Sequence, residues 1–119
     1  MLRSIRFVPR VWILSCLDWL NTYTFPQEAR YEDTEFAKEA YSVFAEDMKK
    51  SPNTRACIFG TLHVPATEIL MEQLDKTGIK AMVGKVNMDR NGSPQLQEES
   101  AQASADATVQ WIKDTLDKF

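Results

Sequence analysis

Two short apolar runs, Ala56-Cys57-Ile58-Phe59-Gly60-Thr61-Leu62 and Ile79–Met88, constrain this chain most. They start about 25 residues apart, and the stretch between them reads as a helix. An antiparallel hairpin would need only a few linking residues, so this spacing suits a right-handed βαβ crossover and a parallel strand pair. Ala56–Leu62 carries apolar residues on both alternations, which predicts a strand covered on both faces. His63-Val64-Pro65 turns the chain, and Pro65 suits a first helical turn. Ile69, Leu70, Gln73 and Leu74 carry that helix to Thr77, and Gly78 sits where a left-handed C-cap belongs.

Two further helices flank this unit. Asp33 or Thr34 can cap a helix running to Lys50, with an apolar stripe of Phe36, Ala40, Phe44 and Met48 beside Ala37, Tyr41 and Val43. Beyond the polar stretch Gln95–Ala105, Val109, Ile112, Leu116 and Phe119, at steps of three, four and three, mark a last amphipathic helix. Met1–Leu20 shows no period, and Tyr23-Thr24-Phe25-Pro26 is expected to break any helix, because Pro26 disfavours the helical region for Phe25. The order is helix, strand, helix, strand, helix, an α/β class. Two parallel strands make a poor independent sheet, so something must cover their edges.

With 119 residues the chain is one domain's worth of sequence and too short for a complete (β/α)₈ barrel, which needs about 200 residues or more. Fourteen Lys and Arg stand against 17 Asp and Glu, which gives no basic face for nucleic acid. No run approaches 18 apolar residues, so no membrane span is expected. The basic and apolar start, Met1–Leu17, is followed by Asp18-Trp19-Leu20-Asn21 with no clean cleavage site, so a cytoplasmic location with reduced cysteines is expected. One histidine, His63, and two cysteines, Cys16 and Cys57, exclude a disulfide scaffold and a self-contained His/Cys zinc site.

Few residues carry chemistry by themselves. His63 lies between a strand and a helix, at the sheet end where α/β proteins bind ligands. It reads either as a proton carrier or pocket residue, or, more plainly, as a loop histidine that caps the helix or bonds a backbone carbonyl. Lys85 within a buried strand is unusual. It could face an anion or carry a metal-bridging carbamate; an ion pair with Asp89 or a neighbouring carboxylate is the plainer reading. There is no P-loop, no Gly-x-Gly-x-x-Gly and no arguable Ser-His-Asp arrangement.

From Leu17 onward, ordered blocks resemble one family. Leu17-Asp18-Trp19-Leu20-Asn21-Thr22-Tyr23-Thr24-Phe25-Pro26-Gln27-Glu28-Ala29-Arg30 looks like the block after that family's metal-binding first strand. Thr54-Arg55-Ala56-Cys57-Ile58-Phe59-Gly60-Thr61-Leu62-His63 is similar to its second barrel strand, and Val83-Gly84-Lys85-Val86-Asn87-Met88-Asp89 to its third. The family is guanine deaminase, of the amidohydrolase superfamily, and the resemblance covers about 100 of the 119 residues. It implies an α/β partial (β/α)₈ TIM-barrel fragment with two parallel strands and three helices. Residues 1–119 are then a single incomplete domain, with 17–119 forming β/α units two and three.

The resemblance also implies function. The family hydrolyses guanine to xanthine and ammonia, and its zinc lowers the pKa of the attacking water. Its metal ligands, proton-shuttling glutamate and guanine-gripping arginine have no counterpart here. No catalytic or metal residue, no bound zinc and no activity are therefore expected of this chain alone. Leu17 and Trp19 match a segment near the family pocket, and His63 matches a histidine at the mouth of strand two; these three are the candidate substrate-binding residues. The expected partners are guanine in the intact family and, for this chain, a homo-oligomer or the missing barrel portion. The alternatives are a noncatalytic α/β assembly module and an aminohydrolase of another heterocycle.

Residues 1–16 do not match the family segment Phe-Arg-Gly-x-Gly-Met-Asp-x-x-Leu. Trp12-Ile13 is encoded TGG-ATH, and the frame one base earlier contains GAT, aspartate. With permitted codons Arg10-Val11 becomes Gly-Met, which makes 1–16 readable as an out-of-frame version of that segment. Sequencing the gene should find codons at Arg10 and Val11 that yield Gly-Met in the shifted frame; codons that cannot do so end the idea.

Overall fold

The computed structural model describes residues 15–119. The expectation for residues 1–16 therefore falls almost wholly outside the described residues.

Residues 16–32 are helical throughout. Ser15 caps α1 (Cys16–Trp19), its Oγ accepting the Asp18 amide at 3.2 Å. A π-helical turn, Leu20–Thr24, leads into α2 (Phe25–Ala29), and a 3₁₀ turn, Arg30–Glu32, follows. The expected break at Tyr23–Pro26 does not occur: Phe25 is helical at φ −60°, ψ −42°. Pro26 has no N–H for an α-type bond. The chain widens by one residue, with the Phe25 amide donating to the Leu20 carbonyl, and Pro26 then occupies the first turn of α2, where no donor is needed.

Asp33 starts α3 (Thr34–Lys50) through Oδ1, which accepts the Glu35 amide at 2.9 Å. Ala37, Ala40, Tyr41 and Ala45 are buried along one face, and Lys49 and Lys50 complement the dipole at the end. Val43, expected beside the stripe, is exposed. Tyr31 stacks on Tyr41 at 4.9 Å and meets the Phe36 ring edge-on at 5.2 Å, joining the first segment to α3. Burial, with Tyr31 and Glu28 nearby, pushes the Tyr41 phenol well above its ordinary value.

β1 (Arg55–Phe59) and β2 (Lys80–Gly84) form the parallel two-stranded sheet, with Cys57 opposite Met82 and Ile58 opposite Val83. Both are shorter than expected, although Gly60 N to Gly84 O (2.8 Å) and Val86 N to Thr61 O (3.3 Å) continue the pairing. Lys85 therefore lies just past β2. Between the strands runs α4 (Val64–Asp75), with Pro65 in its first turn. Gly78 closes the return at φ +76°, as its position predicts. At Gly60 a Cβ would meet Thr67 Cγ2 and Oγ1 at 3.1 Å, so glycine lets α4 approach the sheet.

The core lies between α3, α4 and one sheet face. Leu70, Leu74 and Ala66 of α4 meet the α3 face, with Ile58 and Val83 packed against them. The expectation of a doubly covered strand fails here. Both helices pack on the same side, leaving Phe59 72% and Met82 71% exposed, with Cys57 also exposed on that face.

After a 3₁₀ turn, Pro94–Leu96, Ser100 caps α5 (Ala101–Thr115), whose first residues fall in the polar stretch Gln95–Ala105. The buried face of α5 is Ser104, Trp111 and Thr115, whereas Val109, Ile112, Leu116 and Phe119 are exposed. The expected helix is present, with its apolar stripe on the outer side. Asn87 Nδ2 donates to Ser104 Oγ and to Thr108 Oγ1 (2.8 Å), tying the first turns of that face to the loop after β2.

Urea unfolding should separate core from surface. Leu70→Ala should lower stability by about 2–5 kcal/mol, and Gly78→Ala by about 1 kcal/mol. Val43→Ala, at an exposed site, should change it by less than about 0.5 kcal/mol.

Candidate functional site

The carboxyl ends of β1 and β2 carry the polar chemistry, as expected of a parallel sheet. Thr61 and His63 follow β1; Lys85, Asn87 and Met88 follow β2. Thr67 Oγ1 donates to the carbonyls of Thr61 (3.0 Å) and His63 (3.1 Å), fixing the first loop to α4. The bond from Val86 N to Thr61 O joins the two loops.

Lys85 anchors the second loop. Its side chain is 1% exposed, and Nζ donates to Glu98 Oε1 at 2.6 Å and to the Val86 carbonyl at 3.1 Å. Glu98 Oε2 accepts the Met88 amide (3.0 Å) and Ser104 Oγ (2.6 Å). The carboxylate thus ties strand end, loop and α5 together. The expected ion pair exists, but its partner is Glu98, 13 positions away; Asp89 meets Arg90 instead. Partial burial pushes the Glu98 carboxyl up. The hydrogen bonds from Lys85, Ser104 and Met88, with the Lys85 charge, outweigh that and hold it below the ordinary carboxylate range.

His63 occupies the N-cap position of α4, yet its side chain makes no capping bond. Nε2 is shut away from solvent with no hydrogen-bond partner. Thr61 Oγ1, Trp19 Nε1 and Thr24 Oγ1 share that condition. Buried polar atoms nearly always find partners, so each such atom marks a place where water, a ligand or further protein belongs. Leu17 is 70% exposed and two residues from Trp19 on α1. Among the described residues no hydrogen bond links Leu17 or Trp19 to His63. The α1–α2 segment reaches the strand ends indirectly, through α2 packed on the Pro94–Leu96 turn. Thr24 and Thr61 were not singled out in the sequence, where a lone threonine carries no signal; only their burial reveals them.

No group of three or more His, Cys, Asp or Glu side chains is placed to hold a metal among the described residues. Cys16 and Cys57 are free and exposed, and lie on separate elements. The residues present do not fit a zinc site. No described helix is long and apolar enough to cross a membrane.

The family model described as "Amidohydrolase family" matches residues 2–119. The chain belongs to the amidohydrolase family. Within that family it is 41% identical over 105 residues to the guanine deaminase of Rattus norvegicus, covering 88% of this chain and 23% of the relative. It is 37% identical over 100 residues to that of Escherichia coli strain K12, covering 82% of this chain and 23% of the relative. Its fold superposes on the crystal structure of guanine deaminase from C. acetobutylicum, which has guanine bound in its active site. The TM-score is 0.83 with 40% identity, over 90% of this chain and 25% of that one. The E. coli guanine deaminase structure gives 0.77 with 34% identity, over 86% and 24%. The chain is thus a guanine deaminase-like part of an amidohydrolase barrel, and it spans about a quarter of the length of these relatives.

Glu98→Gln should destabilise the protein by about 3 kcal/mol at neutral pH, because it leaves the Lys85 charge buried without a counter-charge. Lys85→Met should cost less, about 1–2 kcal/mol, since Glu98 keeps two donors. A depressed folded-state carboxyl stabilises fully above its unfolded value, and that contribution is lost as pH falls through the folded value. The gap between the parent protein and Glu98→Gln should therefore shrink below pH 4.5. Urea titrations across pH 3–7 check both statements.

Proposed function

We propose that this chain forms the second and third β/α units of a guanine deaminase barrel and contributes part of its substrate wall. In the whole enzyme the reaction is hydrolysis of guanine to xanthine and ammonia. The superposition on a guanine-bound relative at 40% identity carries this reading. Leu17, Trp19 and His63 are the proposed wall residues. The unpartnered Trp19 Nε1 and His63 Nε2 support that role, since each is a buried hydrogen-bonding atom awaiting a partner.

The metal ligands, the proton-shuttling glutamate and the guanine-gripping arginine are proposed to come from the remainder of the barrel. Zinc is accordingly no part of this chain's own chemistry, and the chain alone should be inactive. Its proposed setting is the cytoplasm, with no nucleic-acid or membrane partner.

The decisive experiment replaces the matching segment of the E. coli enzyme with residues 17–119 of this chain. The zinc-loaded chimera should convert guanine to xanthine, whereas the 119-residue chain with zinc and guanine should release no ammonia. In the chimera, Trp19→Ala or His63→Ala should raise KM for guanine by about tenfold, or ~1.4 kcal/mol of binding. A folded, zinc-loaded chimera without activity would overturn the reading, and so would a KM that neither substitution moves.

A further inference from the structure

The loop after β2 is built more tightly than a plain connection requires. Met88 and Glu98 bracket it and are joined twice. The Glu98 amide donates to the Met88 carbonyl at 2.8 Å, and the Met88 amide donates to Glu98 Oε2 at 3.0 Å. The other carboxylate oxygen takes Lys85 Nζ at 2.6 Å. Residues 88–98 are thus a closed loop with a charge-assisted clamp at its neck. The loop is also filled from within. Leu96 is fully buried, Asn91 is left-handed at φ 60°, and a Cβ at Gly92 would meet the Leu96 carbonyl oxygen at 2.6 Å. Glycine is needed for that approach of backbone to backbone.

Two arms run from this clamp to the proposed wall residues. In the first, the Pro94–Leu96 turn of the loop packs on α2. α2 ends an unbroken helical segment that begins at Cys16 and carries Leu17 and Trp19. Thr24 Oγ1 and Ser93 Oγ, just before the two contacting turns, are shut away from solvent. In the second arm, Lys85 Nζ donates to the Val86 carbonyl at 3.1 Å, and the Val86 amide donates to the Thr61 carbonyl. The Thr67 hydroxyl then joins the Thr61 and His63 carbonyls.

We propose that Lys85 and Glu98 are positioning residues: the pair clamps the 88–98 loop, and the clamped loop sets the Leu17–Trp19 arm and the His63 arm at the spacing that guanine binding requires. Both side chains act through the loop, since their polar atoms are spent on each other and on the backbone. A buried ion pair adds little net stability over apolar residues of the same shape, so its use here is to fix one geometry. The proposal rests on the function proposed above and adds the residues that hold its site in shape.

Two variants open the loop by different means. Glu98→Gln removes the counter-charge, whereas Gly92→Ala forces the Leu96 carbonyl away and leaves both charges in place. In the full 119-residue chain, trypsin should cut after Arg90, within the loop, about tenfold faster in either variant. Cutting after Arg55, inside β1, reports global unfolding and should rise far less in Gly92→Ala. In the chimera described above, both variants should raise KM for guanine by about tenfold and leave kcat within about twofold, the pattern of lost substrate positioning with the chemistry intact. A general loss of fold would instead shrink the active fraction, lowering kcat at an unchanged KM. Should Glu98→Gln fail to fold, Gly92→Ala decides. The proposal is overturned if Arg90 is cut no faster in Gly92→Ala, or if KM does not move, or if kcat alone falls. An active parent chimera whose variants keep its KM removes this proposal alone; an inactive parent chimera removes the proposed function, and this proposal with it.

Discussion

Parallel pairing of β1 with β2 is the constraint from which the rest of the arrangement follows. Parallel strands cannot be joined by a tight turn, so a helix must return the chain. That helix, α4, lies across one sheet face and brings Leu70 and Leu74 against α3. Gly60 permits the close approach, because a side chain there would strike Thr67. The same crossover sets both carboxyl strand ends side by side, and so places His63 near the loop that follows β2. One pairing choice thus positions the core and the candidate site together.

The Lys85–Glu98 pair performs a second, more local task. A lysine this buried is tolerated only with a counter-charge. Glu98 supplies one and also takes the Met88 amide and the Ser104 hydroxyl. Loop, strand end and α5 are held by a single carboxylate. Asn87 extends the network along α5 through Ser104 and Thr108. This polar network at the start of α5 and the buried Trp111 ring further along it set which side of the helix faces inward.

Much of the fold was legible in the sequence because the signals were local. Asp33 before an apolar period of four marked α3, and Gly78 after Thr77 marked the close of α4. The spacing of the two apolar runs led to the parallel pair. The unread parts depended on partners distant in sequence. Pro26 looked like a helix breaker, because a one-residue widening that reroutes the backbone bonds leaves no compositional trace. The stripe Val109, Ile112, Leu116 and Phe119 marked a helix but not its orientation, because periodicity finds an apolar side without saying what lies opposite it. Of the candidate site, His63 was visible from its place after a strand, whereas Thr24 and Thr61 became visible only as buried hydroxyls.

The sequence by itself determined the three long helices, the two strands and their parallel pairing and, through the blocks at Leu17–Arg30 and Val83–Asp89, the membership in a deaminase-like family. Each of these rests on residue patterns within a short window, or on motif identity. The tertiary structure alone decided the partner of Lys85, the inward face of α5 and the bare face of the sheet. Those depend on which groups meet across 13 or more positions of chain, and on which surfaces no described element covers. A hydrophobic pattern states that a surface should be covered; only the packed fold shows that Phe59 and Met82 are exposed among the described residues.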